Sequence, residues 1–151
     1  MNNPIAKSKI PNIKNIIIVA SGKGGVGKST IAAGLALSMA MEGYSVGLMD
    51  ADIYGPSIPT LFNLHNQRPS VSEKNGKSLM EPMIKFGIKI MSIGFLADPS
   101  QAMLWRGPMA SNGLKQLISD TNWGELEYLV IDTPPGTGDI HITLLQQYEI
   151  T

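Results

Sequence analysis

The chain has 151 residues, with 12 lysines and arginines balanced by 12 aspartates and glutamates, two histidines, no cysteine and 43% hydrophobic residues. That is enough apolar material for one packed core, while the balanced charge argues against bulk attraction to nucleic acid or an anionic membrane. Without cysteine these residues offer no disulfide, no thiolate nucleophile and no sulfur ligand for a metal or cluster.

Residues 1–14 carry Lys7, Lys9, Lys14 and two prolines, and read as a loose tail. They lack the apolar stretch of roughly 7–15 residues that a secretory signal requires. The apolar runs at 16–20 and 31–41 are both shorter than the roughly 18 residues of a membrane span. A cytoplasmic setting is expected.

Four short apolar runs, 16–20, 46–49, 88–95 and 129–131, set the skeleton. Most are continuous rather than alternating, as expected of parallel strands covered by helices on both faces. Between the first two, Ile31, Leu35 and Met39 recur at four-residue spacing, which predicts a helix over 28–41 with one apolar stripe. Gly43 follows where helices commonly end in a left-handed residue. The first fifty residues therefore predict one right-handed strand–helix–strand unit. The polar stretch 63–82 holds Asn75-Gly76, a strong hairpin signal, and predicts a small hairpin over 70–74 and 77–81. A further helix is predicted over 111–119, with Leu114, Leu117 and Ile118 facing inward.

After the first strand comes Ser21-Gly22-Lys23-Gly24-Gly25-Val26-Gly27-Lys28-Ser29-Thr30. Gly22, Gly24 and Gly27 satisfy the dinucleotide fingerprint, with Asp50 placed to meet a ribose. Gly22, Gly27, Lys28 and Ser29 equally satisfy the phosphate loop of nucleoside triphosphatases. A pyrophosphate needs close backbone approach and no lysine directly after the last glycine. A triphosphate carries more charge, so its loop adds an ammonium, and a hydroxyl for Mg2+, a hard cation that prefers oxygen. Lys28-Ser29 supplies both groups. Tyr128-Leu129-Val130-Ile131-Asp132 then ends a hydrophobic strand in an acid, followed by Thr133-Pro134-Pro135-Gly136-Thr137-Gly138-Asp139. Triphosphatases place such an aspartate near the metal and such a glycine loop near the γ-phosphate. Together the two motifs favour the triphosphatase.

Lys23 adds a second ammonium, suited either to solvent or to charge developing during γ-phosphate transfer, across a dimer interface if need be. Asp50-Ala51-Asp52 closes the second strand. Alternation sends both carboxylates to one face, where they could serve a metal and a water, or cap the following turn. His65 and His141 read as a loop residue and a helix-face residue, with no acid at zinc-ligand spacing.

The loop from Lys23 to Thr30 resembles the deviant phosphate loop of the MinD/ParA-type ATPases. Asp50-Ala51-Asp52-Ile53-Tyr54-Gly55-Pro56-Ser57, Trp105-Arg106-Gly107-Pro108-Met109 and the run from Asp132 to Asp139 narrow the resemblance to the Mrp/ApbC branch, the iron–sulfur cluster carrier ATPases. The resemblance implies an α/β P-loop NTPase with a mostly parallel sheet and helices on both faces. It implies an ATP site built from Gly22, Lys23, Gly24, Gly25, Val26, Gly27, Lys28, Ser29 and Thr30. Lys23 would reach the partner's nucleotide in a homodimer, and Lys28 would contact the β- and γ-phosphates. Asp52 would position the hydrolytic water, while Ser29, Asp50 and Asp132 would hold Mg2+, partly through water. Acceptors would be iron–sulfur apo-proteins, with neither nucleic acid nor membrane as partner.

Members of that branch continue through further strands and carry a Cys-x-x-Cys pair for a bridging cluster. Residues 15–151 are therefore expected to be the amino-terminal portion of a larger domain, incomplete on its carboxyl-terminal side. The alternatives are a partitioning ATPase of the MinD/ParA kind and a nucleotide-binding fragment without turnover.

Overall fold

A computed structural model describes residues 7, 10–23, 27–52, 55, 57–96, 108–136 and 139–151. Its centre is a five-stranded sheet in the order β1-β7-β2-β6-β5. Strand β1 (Ile13–Val19) lies parallel to β7 (Leu126–Asp132), β7 to β2 (Val46–Asp50), and β2 to β6 (Ile88–Ser92). The short β5 (Met83–Lys85) closes one edge antiparallel to β6. All five residues of β2 are buried, which requires cover on both faces of the sheet. The expected α/β architecture is present.

Helix α1 (Lys28–Met41) has the predicted bounds and ends before Gly43, whose φ of 95° is the left-handed conformation glycine adopts at little cost. Its buried face differs from the expected stripe. Lys28, Ala32, Ala33 and Ala36 are buried, Leu35 and Met39 only partly so, and Ile31 is 62% exposed. The four-residue spacing was right and the phase was one residue off. Small alanines let α1 pack closely onto the sheet, and that approach carries Lys28 inward with them.

Close packing recurs at Gly47 in β2. A Cβ there would stand 2.7 Å from Leu126 Cδ1, 3.0 Å from Trp123 and 3.1 Å from Leu129. The helix after the 3-10 turn Ile93–Phe95 is α3 (Pro108–Ser119), with Leu114, Leu117 and Ile118 buried as predicted. It packs against α4 (Asp139–Gln147), while a four-residue helix, α2 (Ile58–Leu61), follows β2.

The hairpin forms as expected. Strands β3 (Val71–Lys74) and β4 (Lys77–Met80) pair antiparallel around Asn75 and Gly76, at φ 53° and 76°. It docks on the segment after α3, where the Met80 amide donates to Asp120 and the Asn122 amide to Met80. Strand β5 went unpredicted, and the apolar run 88–95 is split between β6 and the 3-10 turn. Ser92 makes the break: its Oγ accepts from the Gly94 amide at 2.9 Å.

Candidate functional site

The parallel register lines up the carboxyl ends of four strands. Val19 stands opposite Asp132, Asp132 opposite Asp50, and Asp50 opposite Ser92. Ligands of open α/β sheets bind beyond this edge. From it, β1 leads into the glycine loop and β7 into the Pro-Pro-Gly segment. The two are joined by Thr133, whose amide and Oγ1 both donate to the Val19 carbonyl, and by the Gly136 amide, which donates to Ser21 at 2.8 Å.

Gly27 enters α1 at φ 80°, where a side chain would be strained. The next two residues turn onto one acid. The Lys28 ammonium donates to Asp132 Oδ1, and the Ser29 hydroxyl donates to Asp132 Oδ2 at 2.6 Å. Lys28 is 8% exposed and Asp132 fully buried. Residues more than a hundred positions apart thus form one buried, charge-assisted cluster.

Asp50 is held more tightly than a free metal ligand would be. Its Oδ1 accepts from the Asp52 amide at 3.0 Å, and its Oδ2 from the Ile58 amide and the Ser92 hydroxyl, both at 3.2 Å. These bonds tie the end of β2 to the start of α2 and to β6, which is the capping alternative raised by the sequence. Burial pushes the Asp50 carboxyl up to about 7, against the pull of the Asp52 amide and with help from the neighbouring Asp132 charge. Asp52 is buried just beyond it.

Lys23 and Gly22 are exposed on the loop, and Thr30 is exposed on α1. The Lys23 carbonyl accepts from the Ser21 hydroxyl at 2.8 Å, which shapes the loop's entry. Gly24, Gly25 and Val26 lie outside the described residues, as do Ile53, Tyr54, Pro56, 105–107, Thr137 and Gly138.

Among the described residues, no three of His, Cys, Asp or Glu converge into a metal-binding cluster. The donors that do meet, the Ser29 hydroxyl and the Asp132 carboxylate, are hard oxygens. That suits Mg2+, which is commonly bound by one or two protein oxygens with phosphates and waters completing its shell.

Sequence reasoning placed His141 on a helix face and gave it no role. It lies in the first turn of α4, and both its ring nitrogens are buried. Burial, and secondarily the Lys28 ammonium, pull its pKa below the usual histidine value. Nothing in its local sequence signals that environment, which arises only when α4 packs into the fold against α3.

A glycine loop joining a strand to a helix, whose first lysine and serine meet the acid at the tip of the strand adjacent in the sheet, defines a P-loop NTPase. Residues 12–151 match the ParA family of NUBPL iron-transfer P-loop NTPases, and the chain belongs to that family. An iron-sulfur cluster carrier protein of Aquifex aeolicus is 51% identical over 146 residues, which cover 96% of this chain and 39% of that protein. The carrier protein of Escherichia coli K12 is 53% identical over 142 residues, covering 94% and 38%. The chain thus spans about two fifths of the length of these relatives. A nucleotide-binding protein from Archaeoglobus fulgidus, solved in complex with ADP, superposes with a TM-score of 0.74 at 43% identity, covering 90% of this chain and 51% of that one. The septum site-determining protein MinD of Pyrococcus horikoshii shares the fold at a TM-score of 0.58 and 16% identity, over 86% of this chain and 53% of that one.

Proposed function

We propose that this chain binds ATP with Mg2+ and hydrolyses it, as the nucleotide-driven part of an iron–sulfur cluster carrier that acts as a homodimer in the cytoplasm. The observation that carries the reading is the convergence of Lys28 and Ser29 on Asp132. The 43%-identical relative bound to ADP and the cluster-carrier relatives support it.

In this proposal residues 15–151 form the nucleotide-binding unit and 1–14 a tail. The amides of residues 22–30 cradle the phosphates. Lys28 moves from Asp132 to the β/γ-phosphate oxygens, where an ammonium offsets charge that grows during transfer. Ser29 and Asp132 hold the metal side. Mg2+ held there would supply positive charge that offsets charge on the phosphates. Asp50 acts behind them: with its oxygens engaged by Asp52, Ile58 and Ser92, it fixes the backbone that carries Asp52 and reaches the metal through water. Asp52 orients the attacking water. Exposed Lys23 is free to extend to the nucleotide of a second copy. These 151 residues contain no cysteine, so they supply no thiolate to the cluster that would be delivered to apo-protein acceptors.

Colorimetric phosphate release from the purified chain with ATP and Mg2+ tests the reading. Release should fall by about two orders of magnitude in Lys28→Ala and on chelating the metal. Equal release by wild type and Lys28→Ala would overturn it.

A further inference from the structure

Among the described residues near the phosphate site, His141 carries chemistry that the proposed function leaves unused. A neutral imidazole carries one donor and one acceptor. In His141 both nitrogens are buried, and neither has a hydrogen-bond partner. A histidine kept for structure would be satisfied, because buried polar atoms are almost always paired. Its neighbours on α4 show what a purely structural position looks like: Ile140 and Leu144 are buried in the core, while Ile142 and Leu145 face solvent.

Its location narrows the partner. Helix α4 follows the Pro-Pro-Gly segment that leaves Asp132 and is tied to the glycine loop by the Gly136–Ser21 bond, so its first turn opens at the phosphate-binding edge of the sheet. The Lys28 charge adds to the lowering that burial imposes on the imidazole. No acid joins it in a metal-binding cluster among the described residues, and Mg2+ prefers oxygen to imidazole. A cationic side chain here would repel Lys28. An uncharged N–H beside that ammonium suits a second contact to the same anionic group.

We propose that His141 hydrogen-bonds the terminal phosphate of the bound triphosphate, and so lets the site distinguish ATP from ADP. This rests on the ATP reading of the site. Lys28 reaches the β/γ junction from α1, and His141 adds a donor from α4. Helix α4, which follows the Pro-Pro-Gly segment, thereby senses whether the third phosphate is present.

The test uses the purified chain with fluorescent analogues of ADP and of non-hydrolysable ATP, in wild type, His141→Leu and His141→Gln. His141→Leu should weaken the triphosphate analogue about tenfold and leave ADP within about twofold, as expected for one hydrogen bond to a charged group. His141→Gln, which keeps a donor, should recover most of the difference. Nucleotide-free His141→Leu should melt at or above the wild-type temperature, because it removes two unsatisfied buried atoms. Equal affinities in wild type and His141→Leu, an equal loss for both nucleotides, or a markedly lower melting temperature would overturn the assignment. If wild type binds neither nucleotide, the ATP reading falls and takes the assignment with it. If wild type binds both and His141→Leu changes nothing, only the assignment falls.

Discussion

Asp50 ties the sheet to the site and should make stability depend on pH in a particular direction. Its carboxyl ordinarily titrates at 3.8 and is pushed up to about 7 in the fold, mainly by burial. The folded state therefore prefers the protonated acid. Its contribution to stability is fully present below the unfolded value and is lost as pH rises toward 7, the opposite of a salt-bridged aspartate. At about 1.36 kcal/mol per pH unit, the interval from 3.8 to about 7 corresponds to about 4 kcal/mol for this fully buried group. Asp50→Asn removes the ionisation and keeps one acceptor for the Asp52 or Ile58 amide. Losing the second acceptor costs about 1–3 kcal/mol, independent of pH. Urea unfolding of the nucleotide-free chain between pH 4.5 and 7.5 measures the difference between wild type and Asp50→Asn. That difference should drift by up to about 1.4 kcal/mol per pH unit in favour of the asparagine as pH rises. Parallel stability profiles across this range would refute the account.

Other substitutions address the packing and the buried ion pair. Gly47→Ala should destabilise by about 1–3 kcal/mol in urea titration, because its Cβ would overlap Leu126 Cδ1 at 2.7 Å; an unchanged midpoint would show that Leu126 can yield. Lys28→Met leaves the fully buried Asp132 charge without its ammonium and should cost about 3–5 kcal/mol, most of it recovered in Lys28→Met/Asp132→Asn. A double variant no more stable than the single would refute the pairing. Mg2+ should strengthen ATP binding at least about tenfold in wild type and far less in Asp132→Asn, as read by calorimetry with and without chelator. Equal enhancement in both would refute Asp132 as the metal-side acid.

Much of the fold was legible because its signals are local and chemically narrow. A glycine loop followed by Lys-Ser demands a strand before it and a helix after it, and β1 and α1 stand there. Asn75-Gly76 demands two left-handed residues in succession, and both are present. Strand β5 escaped because its turn uses Phe86-Gly87, with the phenylalanine at φ 52°, a choice no turn preference would suggest. The phase of α1 escaped for a different reason. Hydrophobicity alone ranks Ile31 above Ala32, whereas the contact with the sheet selects for small size. In the site, the meeting of Lys28, Ser29 and Asp132 could be argued from the paired motifs. The local bonds from Asp52 and Ile58 to Asp50 matched the capping alternative, whereas the Ser92 bond and the buried ring nitrogens of His141 depend on elements distant in sequence and could not be read there.

The placement of β7 between β1 and β2 explains why one acid gathers so much of the proposed chemistry. Were β1 and β2 adjacent, the glycine loop would emerge beside Asp50, whose oxygens already accept three donors from its own side of the sheet. With β7 interposed, the neighbour of Val19 is Asp132, and each of its oxygens accepts one donor, both from the first turn of α1. Those two donors are the groups a phosphate loop presents to a triphosphate and its metal. Under the proposed function, nucleotide binding draws Lys28 toward phosphate and would leave a buried carboxylate uncompensated, unless a cation arrives on the Ser29 side. Metal alone would meet an acid already neutralised by Lys28. Each ligand therefore removes the obstacle to the other, which makes their coupling positive and assigns it to Asp132.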